Sequence, residues 1–373
     1  MKIAMFIPSL IITGGAERVF ITLANWFAKN NHSVVILTVV DSEPFYEIDK
    51  RVKMETMGMK YSKSFIVKLL KEPYLCVKYT HSLVKIVKEY NIDIVLSFLH
   101  RANRTNVFAR WFTHKPAIIS ERDDPLFASL KHRILSRWIY PKADTIVCQS
   151  EEVEKYFLSM GAKCKVLPNP LNTAALGEFI ENKTKRIVSV GRLAPEKNHR
   201  MLIEAFSMIY PAHRDYSLVI IGEGPLKEEL EKQIKDLDLQ GAVHIHKNMK
   251  NVMTKVNDAA CFVLPSDTEG MPNVLIEAMG SGMPVVSTDF RTRVARNLIQ
   301  NGVNGFVVPV GNTKNMAEAI DMIISSKELQ VKMGLENLKI RDLLGEEKIC
   351  SQWEAFFQQM IETHPSRAPG SSN

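Results

Sequence analysis

An α/β protein with two doubly wound parallel sheets is what this sequence predicts, and three observations carry the prediction. Short apolar runs without polar alternation recur along the chain, as expected of strands buried on both faces. Amphipathic stretches separate these runs, giving the rhythm of strand–helix–strand units. The rhythm halts after KVLPNP, at a segment near residues 172–182 rich in turn-forming and small residues, and then restarts. At 373 residues the chain has the length of two ordinary domains.

In the first half KIAMFIPSL reads as the opening strand, and the Gly14-Gly15 turn leads into the amphipathic helix AERVFITLANWFAKN. SVVILTVV, IDIVLSF, AIISE and TIVCQS are the further strands, with helices between them. In the second half KRIVSVG, YSLVIIG, AVHIH, ACFVLP, PVVST and GFVVP are strands. LIEAFSMI, LKEELEKQIKDL, a short helix from Asn273 and KNMAEAIDMII fill the intervals. A last helix over residues 346–362 is long enough to return to the first domain. The expected division is therefore 1–170, 171–345, a returning helix 346–363 and a polar, disordered tail 364–373. A cleft is expected between the two sheets.

Hydrophobic residues at 46% suffice for full cores, and 24% charged residues are ordinary for a soluble protein. The charge is uneven. Residues 1–175 hold 25 Lys and Arg against 16 Asp and Glu, a net of +9, while the remainder holds 23 against 25, a net of −2. The first half therefore favours an anionic partner. Five scattered cysteines without a CxxC pair argue against a disulfide framework or zinc site and for reduced thiols in the cytosol. No apolar run approaches the length of a membrane span. The start MKIAMFIPSLIITGG has no small-residue cleavage site, so it reads as a strand, not a leader.

Chemistry concentrates in residues 265–289, PSDTEGMPNVLIEAMGSGMPVVSTD. Glu277 lies inside the apolar run VLIEAM, and a carboxylate there needs a partner. Glu269 precedes the helix start, at the carboxyl end of a strand, where open parallel sheets bind ligands. Two carboxylates beside free N–H groups can hold hydroxyls and an anion together. Three further loops follow strands. GGAER at 14–18 reads as a tight turn or as a phosphate cradle at a helix start. GRLAPEKN at 191–198 presents Arg192 and Lys197, two cations suited to a diphosphate. IGEGPL at 221–226, with Gly222 and Gly224, suits a nucleobase or ribose edge or is a plain strand-to-helix turn.

These features together resemble the retaining glycosyltransferases of family 4, whose two-domain architecture is called GT-B. The E-x7-E hallmark is matched by Glu269 and Glu277, and GRL-x-x-E-K-N is the family's diphosphate loop. The likeness runs from GGAER into the 300s. It implies that Glu269 holds sugar hydroxyls, that Glu277 holds the ribose, and that Arg192 and Lys197 hold the nucleotide diphosphate. The backbone of Gly270, Met271, Pro272, Asn273 and Val274 would contact sugar and phosphate, and Gly15 would approach the phosphate of the transferred sugar. Two positions depart from the pattern. Arg122, in AIISERDDP, stands where many members carry a histidine, and could orient the sugar or contact an acceptor phosphate. HIHKNMKNV, around Lys247, stands where relatives carry the uracil-side loop.

The basic first half interleaves cations with aromatics. Lys68, Lys71 and Lys78 share a helix-forming stretch with Phe65, Tyr74 and Tyr79. Arg101, Arg104, Arg110, Arg133 and Arg137 follow among Trp111, Phe127 and Trp138. The pattern fits an anionic membrane surface and a polyprenyl-diphosphate acceptor, or a solvated helix face. No recognition motif for nucleic acid accompanies it. The expected protein is a cytoplasmic enzyme, peripheral at the inner face of the membrane. It would move an N-acetylhexosamine or hexose from a UDP-sugar to a polyprenyl-diphosphate-linked glycan, without a metal or other cofactor. The same fold would also serve a UDP-sugar 2-epimerase, a phosphorylase or an inactive module that binds lipid-linked glycans.

Overall fold

A computed structural model describes residues 1–11, 14–41, 43–59, 65–173 and 176–364, with backbone alone for 59 and 65–73. Two compact units divide the chain: Met1–Pro170 with Glu347–Asn373, and Leu171–Glu346.

The first unit holds β1 (Lys2–Ile7), β2 (Ser33–Val40), β3 (Lys53–Met59), β4 (Ile94–Phe98), β5 (Ala117–Ser120), β6 (Thr145–Cys148) and β7 (Cys164–Val166). They form one sheet in the order β3-β2-β1-β4-β5-β6-β7, and every pair is parallel. The connecting helices are α1 (Gly15–Lys29), α2 (Phe65–Glu89), α3 (His100–Thr113), α4 (Leu130–Ile139) and α5 (Glu151–Leu158). Sequence reasoning missed β3 and β7. KMETMGM is polar and interrupted by glycine, and CKV is only three residues long, so neither shows the apolar run of a central strand. Both sit at the sheet's edges, where short or polar strands are tolerated.

The second unit is a six-stranded parallel sheet in the order β10-β9-β8-β11-β12-β13. Its strands are β8 (Thr184–Val190), β9 (Ser217–Ile221), β10 (Val243–His246), β11 (Ala259–Leu264), β12 (Val285–Thr288) and β13 (Gly305–Val308). Its helices are α6 (His199–Ile209), α7 (Lys227–Asp236), α8 (Val252–Val256), α9 (Asn273–Gly280), α10 (Val294–Leu298), α11 (Thr313–Ile324), α12 (Lys327–Asn337) and α13 (Ile340–Leu344). All six strands coincide with apolar runs visible in the sequence. The core centres on Ile187, Leu218, Ile220 and Val263, packed against Leu202, Phe206 and Ile320 of α6 and α11. Among the described residues no helix is long and apolar enough to cross a membrane.

Of the segment read as a linker, residues 176–179 lie instead as a strap on the second unit. Leu171 is buried and donates to Leu344 O at 2.7 Å. Phe179 lies against Gly282 and Gly334, where a Cβ would come within 2.5 and 2.8 Å of its ring. The two glycines leave room for an aromatic ring that composition alone does not distinguish from linker.

α14 (Glu346–Thr363) belongs to the first unit. Phe357 stacks on Phe27 with ring centroids 5.3 Å apart, and Glu347 Oε2 accepts from Trp26 Nε1 at 2.9 Å. Trp353 is fully buried.

The pair Gly222 and Gly224 has a packing reason. A Cβ on Gly222 would stand 1.9 Å from Gly191 O, and one on Gly224 would stand 2.3 Å from Leu193 O. The loop after β8 therefore lies directly on the loop after β9, tied by Leu193 N to Glu223 O at 3.0 Å. Backbone cannot yield as a flexible side chain does. Gly224→Ala is expected to cost about 1–3 kcal/mol of stability in urea unfolding; a loss below about half a kcal/mol would show that the loop yields freely.

Candidate active site

The strand order of the second sheet reverses between β8 and β11, and ligands of open parallel sheets bind at such a point. Two loops meet there. The first follows β8, carries Arg192, and runs into a single 3-10 turn over Pro195–Lys197. Asn198 follows in the left-handed region at φ 45°, and its side chain caps α6 by accepting from Met201 N. The second loop follows β11 and carries Glu269, ahead of Pro272, which caps α9.

The loops are joined. Lys197 Nζ lies 2.6 Å from Glu269 Oε1, and both groups are largely buried. Ser266 Oγ donates to the same carboxylate oxygen at 2.7 Å. Asn198 Nδ2 donates to Asp267 Oδ1 at 2.8 Å, and Asp267 N donates to Glu196 O at 2.9 Å. From beyond β12, Thr292 Oγ1 donates to Glu269 O at 3.0 Å and to Gly270 O at 2.9 Å. Glu269 is thus held from three loops. Arg192 is exposed and paired with Glu196, four residues on. Glu277 is buried in α9, and Gly270, Met271, Pro272 and Asn273 are buried ahead of it, with Val274 half-buried.

In the first unit the order reverses between β1 and β4. Gly15 opens α1 and Gly14 caps it. Glu17 folds back so closely that a Cβ on Gly14 would stand 2.1 Å from Glu17 Oε2. Burial raises the Glu17 pKa, a backbone hydrogen bond opposes that, and the charge of Asp123 adds to it.

After β4, Leu99 adopts φ 73° and ψ 149°, a conformation that costs a non-glycine residue about 1–3 kcal/mol. It sets His100 at the head of α3. His100 Nδ1 lies 2.9 Å from Glu121 Oε2, which also accepts from the Tyr140 hydroxyl at 2.9 Å. Burial works against the charged form of His100, but the hydrogen bond and charge of Glu121, with Asp123, outweigh it and raise its pKa.

Arg122 follows β5 and is buried. It donates to Ser120 Oγ at 3.2 Å and to Asn169 Oδ1, and its guanidinium stands 4.6 Å from the Phe98 ring centre. Burial pulls its pKa down to about 9, against the charges of Asp123 and Glu121.

Comparison with known proteins places this arrangement. The family described as Glycosyl transferases group 1 matches residues 177–339, and Glycosyltransferase Family 4 matches residues 13–175. A Campylobacter jejuni protein named N-acetylgalactosamine-N,N'-diacetylbacillosaminyl-diphospho-undecaprenol 4-alpha-N-acetylgalactosaminyltransferase is 33% identical over 345 residues, 88% of this chain and 92% of that one. The chain belongs to glycosyltransferase family 4. A second C. jejuni relative, an alpha-1,4-N-acetyl-D-galactosaminyltransferase named for a PP-undecaprenol-linked GalNAc substrate, is 28% identical over 91% of this chain and 93% of its own. Among solved structures, Anabaena HepE in complex with UDP superposes with a TM-score of 0.78 at 18% identity, covering 96% of this chain and all of that one. Sucrose-phosphate synthase of Thermosynechococcus elongatus reaches 0.83 at 15%, covering 97% and 99%. The fold is GT-B, and the protein is a transferase.

Of the residues expected to serve this glycosyltransferase, the structure brings Lys197 and Glu269 into contact and lays residues 270–274 along the same loop and helix start. Gly15 and Arg122 lie in the first unit, at the carboxyl ends of β1 and β5. Arg122 spends two of its donor groups on Ser120 and Asn169, and so is held within the scaffold. Lys78 is exposed, Arg101 and Arg104 are half-buried, and the side chains of Lys68 and Lys71 lie outside the described residues. Sequence reasoning missed Ser266, Thr292, Glu17 and the His100–Glu121 pair. Glu17 had a readable signal, an acid three residues into a helix that opens on two glycines.

It also missed His199, which is buried beside the Lys197 loop. Burial pushes its pKa down to about 4, and the charge of Lys197 acts in the same direction. Above the ordinary histidine value of 6.5 the imidazole is neutral in both folded and unfolded chains. As pH falls from there towards 4, the unfolded chain takes a proton that the fold refuses. Stability then drops by about 1.4 kcal/mol per pH unit. His199→Asn removes this slope, so between pH 7 and pH 5 the wild type should lose about 2 kcal/mol more than the variant in urea unfolding. Parallel losses would refute the assignment.

Proposed function

We propose that this family 4 enzyme is a retaining glycosyltransferase. It takes an N-acetylhexosamine or hexose from a UDP-sugar and passes it to a polyprenyl-diphosphate-linked glycan. The observation that carries the reading is the Lys197–Glu269 contact at the switch point of the second sheet. It sets a cation for the diphosphate beside a carboxylate for the sugar hydroxyls. The names of the two C. jejuni relatives support a lipid-diphosphate-linked acceptor, and the likeness to a fold solved with UDP is consistent with the donor.

In this reading Glu269 binds the sugar hydroxyls, Glu277 the ribose, and Arg192 and Lys197 the diphosphate. The backbone of residues 270–274 lines sugar and phosphate, and Gly15 approaches the phosphate of the transferred sugar. Arg122 orients the sugar or meets an acceptor phosphate. The anomeric C–O bond to the diphosphate breaks while the acceptor oxygen bonds to the same face of the sugar. The acceptor proton passes to the departing phosphate oxygen, so no protein nucleophile and no metal are required. The enzyme works at the inner face of the cell membrane, where Lys68, Lys71, Lys78, Arg101 and Arg104 meet anionic lipid and acceptor phosphates.

The test is product analysis with a panel of UDP-, GDP- and ADP-sugars and a short-chain lipid-diphosphate glycan. UDP release that depends on the acceptor, a product with the donor's anomeric configuration, and turnover that persists in chelator are expected. UDP release without acceptor, inversion, or loss of turnover in chelator would overturn the corresponding part.

A further inference from the structure

The helix α4 leaves an apolar face exposed. Its capping is ordinary, with Ser129 accepting from His132 N. Yet the residues turned inward are His132, Leu135, Ser136 and Ile139, and of these only Ser136 is fully buried. At helical spacing the opposite face carries Leu130, Ile134 and Trp138, which are 70%, 51% and 71% exposed. Arg133 and Arg137 are exposed beside them. A helix whose one fully buried residue is a serine, and which turns leucine, isoleucine and tryptophan outward beside its inward Leu135 and Ile139, has apolar surface left for something outside the fold.

The neighbouring helix repeats the pattern. α3 packs against α4. Its outer face runs Arg101, Arg104, Phe108, Trp111, Phe112, and the two last aromatics are 62% and 64% exposed. Right-handed crossovers place α3 and α4 on one face of the sheet, because β4, β5 and β6 follow one another in a single direction. The two stripes therefore share a side of the first unit.

Charge decides what covers them. Residues 100–120 and 125–143 contain eight Lys and Arg and no Asp or Glu. A second copy docked through the same face would bring each patch against itself, since a two-fold interface is self-complementary. Arginines would then meet arginines. Anionic lipid offers headgroup phosphates for the guanidinium groups and an acyl boundary for tryptophan, phenylalanine and leucine, each at its own depth.

We propose that the outer faces of α3 and α4 form a lipid-docking surface seated on an anionic bilayer. Trp111, Phe112, Leu130, Ile134 and Trp138 enter the headgroup–acyl boundary, and Arg104, Arg133 and Arg137 bind headgroup phosphates. The proposal rests on the reading of a lipid-linked acceptor and adds the surface that reaches it. It also adds that apolar insertion, and not lysine attraction alone, holds the protein there.

The test is co-sedimentation of the full chain with vesicles of phosphatidylcholine containing about one third phosphatidylglycerol, against phosphatidylcholine alone. Binding to the anionic vesicles that is weakened but not abolished by 0.5 M salt, roughly the ionic strength at which attraction alone is screened out, is expected. Ile134→Asp with Trp138→Ser should weaken it more than about tenfold. Arg133→Glu with Arg137→Glu should remove the preference for anionic lipid. All four positions are exposed, and an unchanged thermal shift with UDP would show that the variants fold and keep the donor site. Failure to bind vesicles with that shift intact overturns this proposal and leaves the donor reading standing. Vesicle binding that the Ile134 and Trp138 substitutions leave unchanged overturns it as well. So does concentration-dependent self-association in sedimentation velocity that Ile134→Asp abolishes, with no vesicle binding, since a second copy would then be the occupant.

Discussion

Lys197→Ala is expected to lower turnover by about 100- to 1,000-fold, the range found when one preorganised donor to developing charge is removed. Two losses coincide. Under the proposed assignment the leaving diphosphate forfeits one of its two cations, and Glu269, largely buried, forfeits the ammonium at 2.6 Å. Glu269 keeps the neutral donor Ser266 at that oxygen. Glu269→Gln keeps the shape and removes the charge, and it is expected to fall in the same range. Because the two side chains share one contact, the double variant should be much less impaired than the product of the single effects. Steady-state kinetics at saturating donor, on all three variants, makes the comparison. Fully multiplicative losses would mean that the pair does not act as a unit, and unchanged turnover would remove both residues from the site.

Trp353→Ala is expected to destabilise the first unit by about 3–5 kcal/mol, the usual cost of emptying a buried aromatic site. Trp353 is fully buried, and one turn on, Phe357 meets both it and Phe27. α14 is thus part of the first unit's core, although 176 residues of the second unit separate it in sequence from the rest. Nucleotide binding to the second unit should survive, with affinity changed less than about twofold. Urea unfolding together with nucleotide titration separates the two readouts, and a stability loss below about 1 kcal/mol would contradict the packing role.

The second unit was largely legible because its strands are continuous apolar runs and its loops carry residues that stand out chemically. Glu277 inside VLIEAM and the Arg192/Lys197 loop needed no coordinates to be noticed. What did not show was pairing. Nothing in the spacing of GRLAPEKN and DTEGMP says that Lys197 turns to Glu269 while Arg192 turns to Glu196, because that choice is made by the turn at Pro195–Lys197 and the left-handed Asn198. The strap around Phe179 was hidden for a related reason, since the glycines that admit its ring lie about 100 and 155 residues away in sequence, beyond any local window. In the first unit β3 was invisible because an edge strand need not be apolar. The face of α4 was visible only as basic residues among aromatics; which side of the helix the fold covers is a tertiary fact.

Glu17 has one consequence for selectivity. A helix start is a ready seat for any small anion, and cells hold abundant phosphate. Here that seat holds a carboxyl group of the chain itself, tethered three residues away, so its presence does not depend on the concentration of any free ion. Inorganic phosphate would have to evict it unaided, with only the affinity of one helix end. The two glycines at the head of α1 thus make room for a side chain that already occupies the helix start, and an incoming anion would have to displace it.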